Sequence, residues 1–450
     1  MGSILVIVSK TKRRGNNIMA RYSVTSKVLT LSQIQEEVNR RGGRNLRIAM
    51  GSKQIFCDLD DATLAKFKAA GCSVSKIGGV KADIIAPPIV VPPTPVAGIP
   101  TYSAEELITI IGLPDVREIL DPPLYGAGMT MAIIGTGIRE THEKIEGHVV
   151  YRKNYTSDPM RDGFDHDTGV CDIALAVVPQ CNILNLKVLD NEGAGSEEDV
   201  ALAIDDCILL QDTQPDIAPV VINLSLGGPD EGNPDNPLRV ACRAAIDKGI
   251  FVIASAGNMG PVPYSITCPA CERDVFALGS AKYLPEESSF VISNFSSRGP
   301  TQEGLVKPDM VLLGENISMA SSASDTAITA KSGTSFASPF ASAMAIMYRE
   351  GAYRHALWKS NVIELPPGEI YYVPPSELQD DYVPRVTVKP AEAPRDKDCD
   401  YGWGLPYGPL VIQGITAVPV STMMASLAPI LVMGMLGMMM VPMAKKEAKS

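Results

Sequence analysis

A chain of 450 residues is long enough to fold as two domains with separate cores, and its 45% hydrophobic and 20% charged content is ordinary for a globular protein. The 40 basic and 51 acidic residues give a net charge of −11 with no basic stripe, which argues against a nucleic-acid partner. Nine cysteines, an odd number without regular spacing in so long a chain, do not make a disulfide scaffold and read as reduced, buried thiols of a reducing compartment.

In chain order, residues 1–18 are an extension in which the short apolar run Ile4 to Val8 precedes Lys10, Lys12, Arg13 and Arg14. A secretory signal has the opposite order and a longer apolar run, so no signal peptide is expected here. Residues 19–82 alternate strand-like and helix-like pieces: Arg21 to Lys27, the helix Leu31 to Arg41, Leu46 to Met50, Gln54 to Leu59, the helix Ala62 to Ala70 ending at Gly71, and Cys72 to Ile77. This β-α-β-β-α-β order predicts a small α+β, ferredoxin-like domain, with an unrelated adaptor as the alternative. Pro87, Pro88, Pro92, Pro93, Pro95 and Pro100 make residues 83–101 a semi-extended linker.

Residues 102–416 alternate apolar strands with amphipathic helices. The predicted strands are Met131 to Ile138, Ile183 to Val188, Val220 to Leu226, Phe251 to Ala254 and Val275 to Leu278, with helices near Glu198 to Leu210 and Leu238 to Lys248. Continuous Val, Ile and Leu runs predict an α/β fold whose parallel sheet is covered by helices on both faces. Ligands in such sheets bind at the carboxyl ends of the strands, where Gly135 and Asn258 both fall. Residues 360–399, rich in proline and charge, read as a surface excursion.

Three stretches carry chemistry. Ser332-Gly333-Thr334-Ser335-Phe336-Ala337-Ser338-Pro339 opens a helix of small residues; Asp165-His166-Asp167-Thr168 precedes the helix-like run Val170 to Val178; and Asn258 follows the strand Phe251 to Ala254 within Ala256-Gly257-Asn258-Met259-Gly260. A serine at a helix start, a histidine on a second helix and an amide after a strand are the nucleophile, base and oxyanion donor of an acyl-transfer site. In order and context these blocks resemble the subtilisin-like serine proteases, or subtilases. So do Val221-Ile222-Asn223-Leu224-Ser225-Leu226-Gly227-Gly228, Asn294 to Pro300, Lys307-Pro308-Asp309 and the closing Asp400-Tyr401-Gly402-Trp403-Gly404.

The resemblance implies a serine endopeptidase acting on polypeptides without a cofactor. It implies Ser335 as nucleophile, His166 as base, Asn258 as oxyanion donor, and Ser225, Leu226 and Gly227 as the strand that lines the substrate cleft. It also implies that residues 19–82 correspond to the family's chaperone-like propeptide, released by cleavage near residues 83–100. Lys144 stands where the family commonly has a calcium-binding aspartate, so no metal is expected there. Cys268-Pro269-Ala270-Cys271 has the spacing of half a zinc site or a redox pair, but no partner pair is evident and the stretch aligns with a structural loop of the family.

One piece is absent. Where the family ends a strand with the aspartate that orients the histidine, this chain has Gly135 in Met131-Ala132-Ile133-Ile134-Gly135-Thr136-Gly137. Neighbouring acids offer no replacement on helical geometry, because Asp165 and Asp167 would project roughly 100° to either side of His166, and Asp172 across the helix. The expectation is therefore an attenuated peptidase, with a pseudoprotease that binds extended peptide as the alternative. On the same expectation, Gly135→Asp would raise hydrolysis by roughly 10²–10⁴.

Beyond Trp403 no charged side chain occurs before Lys445. Residues 417–443 are long enough to cross a bilayer, with a basic tail at 444–450, and are read as a membrane anchor that leaves the catalytic domain on the cytoplasmic side. The alternative is a methionine-rich contact between subunits of a homo-oligomer.

Overall fold

The computed structural model describes residues 19–27, 29–82, 101–117, 122–287, 289–360, 387–388, 393 and 396–406. The extension 1–18, nearly all of the linker 83–101, most of the excursion 360–399 and the tail segments 417–443 and 444–450 lie outside the described residues. Among the described residues no helix is long and apolar enough to cross a membrane.

The amino-terminal module runs Met19–Thr25, helix Leu31–Arg40, Arg44–Ala49, Gln54–Asp60, helix Asp61–Ala69 and Ser73–Lys76. Both helices begin where the sequence supplies a cap. Thr30 and Gln33 form a reciprocal capping box, and Asp60 accepts the Thr63 amide at 2.8 Å. The four strands pair antiparallel in the order Arg44–Ala49, Gln54–Asp60, Met19–Thr25, Ser73–Lys76. Val24, Ile34, Val38, Ile55 and Phe67 fill the space between this sheet and its helices.

The second unit is built on an eight-stranded sheet. Its order is Ser289–Ile292, Phe276–Leu284, Phe251–Ser255, Val221–Leu224, Thr130–Gly135, Asn182–Lys187, Val149–Asn154, with Met310–Leu313 also paired to Phe276–Leu284. All neighbours are parallel except the edge strand Ser289–Ile292. The central strand shows why its sequence is continuously apolar. Met131 and Ile133 enter one core with Val170, Ile173 and Phe336, while Ala132 and Ile134 enter the opposite core with Leu184, Val200 and Ile204. Helices Asp167–Val177 and Thr334–Ser360 cover the first face, and Glu197–Thr213 and Pro237–Asp247 cover the second.

The module docks on the second pair of helices through polar groups. Arg21 forks Glu198 with two bonds of 2.7 Å, and Asp205 accepts the Met50 and Ser52 amides at 2.8 Å each. Removing the Asp205 carboxylate leaves both amides without their acceptor; Met50 is exposed and its amide can turn to water, whereas the buried Ser52 amide is orphaned at about 1–3 kcal/mol. Asp205→Ala is therefore expected to speed hydrogen exchange selectively at Met50 and Ser52, with the core strand Thr130–Gly135 unchanged. Equal protection in variant and wild type would contradict this docking.

Candidate active site

Three separate elements converge at the carboxyl end of the sheet. The long helix Thr334–Ser360 starts one residue before Ser335 and contains Pro339 in its second turn. Proline has no amide to give the carbonyl four residues earlier, so the Ser335 carbonyl would be orphaned. It is satisfied sideways: Ser225 Oγ donates to Ser335 O at 2.9 Å and Ser338 Oγ does so at 3.2 Å. In return Ser335 Oγ donates to the Ser225 carbonyl at 3.2 Å. Asn223 Nδ2 donates to Ser225 Oγ, and Ser342 Oγ donates to Asn223 Oδ1, each at 2.9 Å. The serine is thus fixed to the strand Val221–Leu224 by a buried hydroxyl network.

Asn258 lies three residues beyond the strand Phe251–Ser255, after Gly257, whose φ of +104° suits only glycine. A Cβ at 257 would also lie 2.6 Å from Thr267 Cγ2. Asn258 Oδ1 accepts the Thr334 amide at 2.9 Å and the Thr334 hydroxyl at 3.0 Å. Those two bonds fix which end of the amide faces the helix, and Nδ2 is left buried without a partner among the described residues. An unpaired, preoriented donor beside a serine is what a developing oxyanion requires.

His166 departs from its expected setting. It does not lie within a helix: it is the residue before Asp167–Val177, with φ −129° and ψ −62°. Asp165 before it has φ +61°, a left-handed turn that aspartate tolerates. This turn is held by Ser321 Oγ, the Ser322 amide and Lys331 Nζ, all donating to the Asp165 carboxylate. The His166 ring is buried, tilted on Phe336 with centroids 5.4 Å apart. Its Nδ1 stands 2.6 Å from Asp167 Oδ1.

The projection rule that excluded Asp167 therefore fails here, because it holds only where both residues have helical dihedrals. The carboxylate of Asp167 also accepts the Thr136 amide on Oδ2 at 2.7 Å, and Thr136 Oγ1 accepts the Asp167 amide at 3.1 Å. A carboxylate that takes protons on both oxygens places the shared proton on Nδ1. Nε2 then carries the lone pair, and it is buried without a hydrogen-bond partner among the described residues.

Other residues around the histidine carry no motif that exposes them in the sequence. Asp162 accepts the His166 and Thr168 amides at 2.9 and 3.0 Å and the Thr136 and Thr168 hydroxyls at 2.9 and 2.7 Å. Burial, with the nearby Asp167 charge, pushes its carboxyl above the ordinary range. Lys187 Nζ donates to the Thr136 carbonyl at 2.6 Å, and burial pushes its ammonium below its usual value. Lys144 pairs with Asp172 at 3.2 Å, so a lysine cation already faces that acid.

Leu226 and Gly227, expected to line a substrate cleft, are already paired within the chain. Gly79–Ala82, which no strand propensity marked, lies antiparallel between Ala194–Ser196 and Leu226–Gly227. Ala82 pairs with Leu226 and Lys81 with Gly227, so the strand ends one residue from Ser225 and hence beside Ser335. Cys268 and Cys271 are both buried, with sulfurs 2.9 Å apart, next to this cleft where Cys268 bridges to Gly228.

Residues 126–366 match the sequence model of the subtilase family. The chain is 30% identical over 212 residues to serine protease AprX of Bacillus subtilis, covering 43% of this chain and 48% of that one. It is 29% identical over 244 residues to a subtilisin of Bacillus sp. strain TA39, covering 49% and 56%. With the major intracellular serine protease of B. subtilis it shares 27% over 293 residues, covering 59% and 84%. The chain spans about half the length of the first two of these relatives.

Proposed function

Since the chain belongs to the subtilase family, we propose that it is a serine endopeptidase whose site is built from Ser335, His166 and Asn258. The observation that carries this reading is a pair of buried atoms without partners among the described residues, His166 Nε2 and Asn258 Nδ2, on elements that meet at the start of the Ser335 helix. In the reaction, Ser335 Oγ bonds to the substrate carbonyl carbon as its proton passes to His166 Nε2. Charge on the former carbonyl oxygen is met by Asn258 Nδ2, aided by the amino-terminal amides of the helix Thr334–Ser360. The C–N bond then breaks as Nε2 returns the proton to the leaving amine, and water repeats the sequence on the acyl-enzyme.

Substrate is read here as extended polypeptide, because Leu226 and Gly227 already pair with a strand in antiparallel register. That strand directly follows the amino-terminal module, and on this reading it acts as a tethered occupant of the cleft. The Ser335 hydroxyl donates to the Ser225 carbonyl at 3.2 Å. Purified full-length chain is expected to cut itself within residues 83–101 and afterwards to hydrolyse unfolded protein. A chain that stays intact, and remains inactive after limited proteolysis of that linker, would overturn the reading.

A further inference from the structure

We propose that Asp167 is the positioning acid of this site, its carboxylate standing in the space that a side chain at residue 135 would fill. The inference rests on the peptidase reading above and assigns the one role that the sequence left vacant. Its geometric basis is mutual exclusion. A Cβ added to Gly135 would lie 2.3 Å from Asp167 Oδ2, 2.8 Å from Oδ1 and 2.9 Å from Cγ. The Asp167 carboxylate would have to move away from such contacts, so a side chain at 135 and the carboxylate in its observed place exclude each other.

The strand end still contributes. The amide of Thr136, directly after Gly135, holds Oδ2 at 2.7 Å while Oδ1 faces His166 Nδ1 at 2.6 Å. The acid thus reaches the histidine from the start of its own helix, and the strand supplies a donor and an empty place. Asp162 bonds the His166 amide and the Thr136 hydroxyl but makes no bond to the imidazole ring. Among the acids near the ring, Asp167 alone has a carboxylate oxygen at hydrogen-bond distance from it among the described residues.

Gly135→Asp, the repair that the sequence invites, is then no repair. Its side chain would displace Asp167 and place two carboxylates beside the buried Asp162, where like charges disfavour ionisation. Hydrolysis by Gly135→Asp is expected to fall rather than rise. Asp167→Asn, which keeps shape and offers the ring the wrong partner, is expected to lower kcat by about 10⁴ with KM little changed, the loss found when a triad aspartate is neutralised. Combining Gly135→Asp with Asp167→Gly puts the acid back at residue 135 and clears its space. The double variant is expected to exceed both Gly135→Asp and Asp167→Gly alone by a hundredfold or more, a coupling that independent sites do not produce.

The proposal is overturned if Asp167→Asn, with an unaltered melting temperature, keeps wild-type kcat, or if Gly135→Asp alone gains activity. A second readout does not need turnover. The proton on His166 Nδ1 is expected as a strongly downfield NMR resonance in full-length wild type and in Ser335→Ala, and to be lost in Asp167→Asn. If wild type neither hydrolyses peptide nor takes an active-site label, the peptidase reading falls. The resonance then still decides the pairing, and its persistence in Asp167→Asn would contradict it.

Discussion

Ser335→Ala is expected to lower polypeptide hydrolysis by about 10⁶, the effect of deleting the nucleophile where triad members act as a unit. The variant should leave the fold alone. Ser335 Oγ donates to the Ser225 carbonyl, whereas the helix is tied to the strand through the Ser335 carbonyl and Ser225 Oγ, which alanine retains. Full-length Ser335→Ala should therefore melt with wild type while remaining uncut between residues 83 and 101. Processing at the wild-type rate would mean that another protease makes the cut. Residual hydrolysis within tenfold of wild type would remove Ser335 from the mechanism.

Asn258→Asp should lower kcat by about 10²–10³, the cost of losing one oxyanion donor. This substitution separates two roles of one side chain. The oxygen that accepts from the Thr334 amide and hydroxyl at 2.9 and 3.0 Å has its counterpart in aspartate, so the start of the helix stays anchored. What disappears is the donor Nδ2, replaced by an acceptor that repels the forming oxyanion. Substrate affinity in the ground state should change little, since the interaction develops with the charge. A loss confined to KM, with kcat intact, would mean that Asn258 positions peptide rather than the transition state.

Much of the sheet could be read from the chain because burial on both faces leaves a continuous apolar run. Thr130–Gly135, Asn182–Lys187 and Phe251–Ser255 were all visible in that way. Val149–Asn154 was not: it is the sheet edge, none of its residues is fully buried, and it carries the exposed Arg152 and Lys153. Gly79–Ala82 has almost no intrinsic strand signal, and its conformation comes from partners more than a hundred residues away. Ser335, His166 and Asn258, proposed as nucleophile, base and oxyanion donor, were legible because small-residue and glycine motifs mark the turns that carry them. The acid was not, because a helical projection was applied to His166, whose dihedrals place it outside the helix. Gly135 looked like a deletion in the sequence; in three dimensions it is the room that Asp167 uses.

The central claim is that Ser335 is a competent nucleophile with a working base beside it. Its most direct measurement is the mass of the full-length chain after reaction with a fluorophosphonate, followed by mapping of the modified peptide. One adduct per chain is predicted, on the peptide containing Ser335, absent in His166→Ala and strongly slowed in Asp167→Asn. No adduct over hours on folded wild type freed of its amino-terminal module would contradict the account. The cleft would then bind peptide without cutting it.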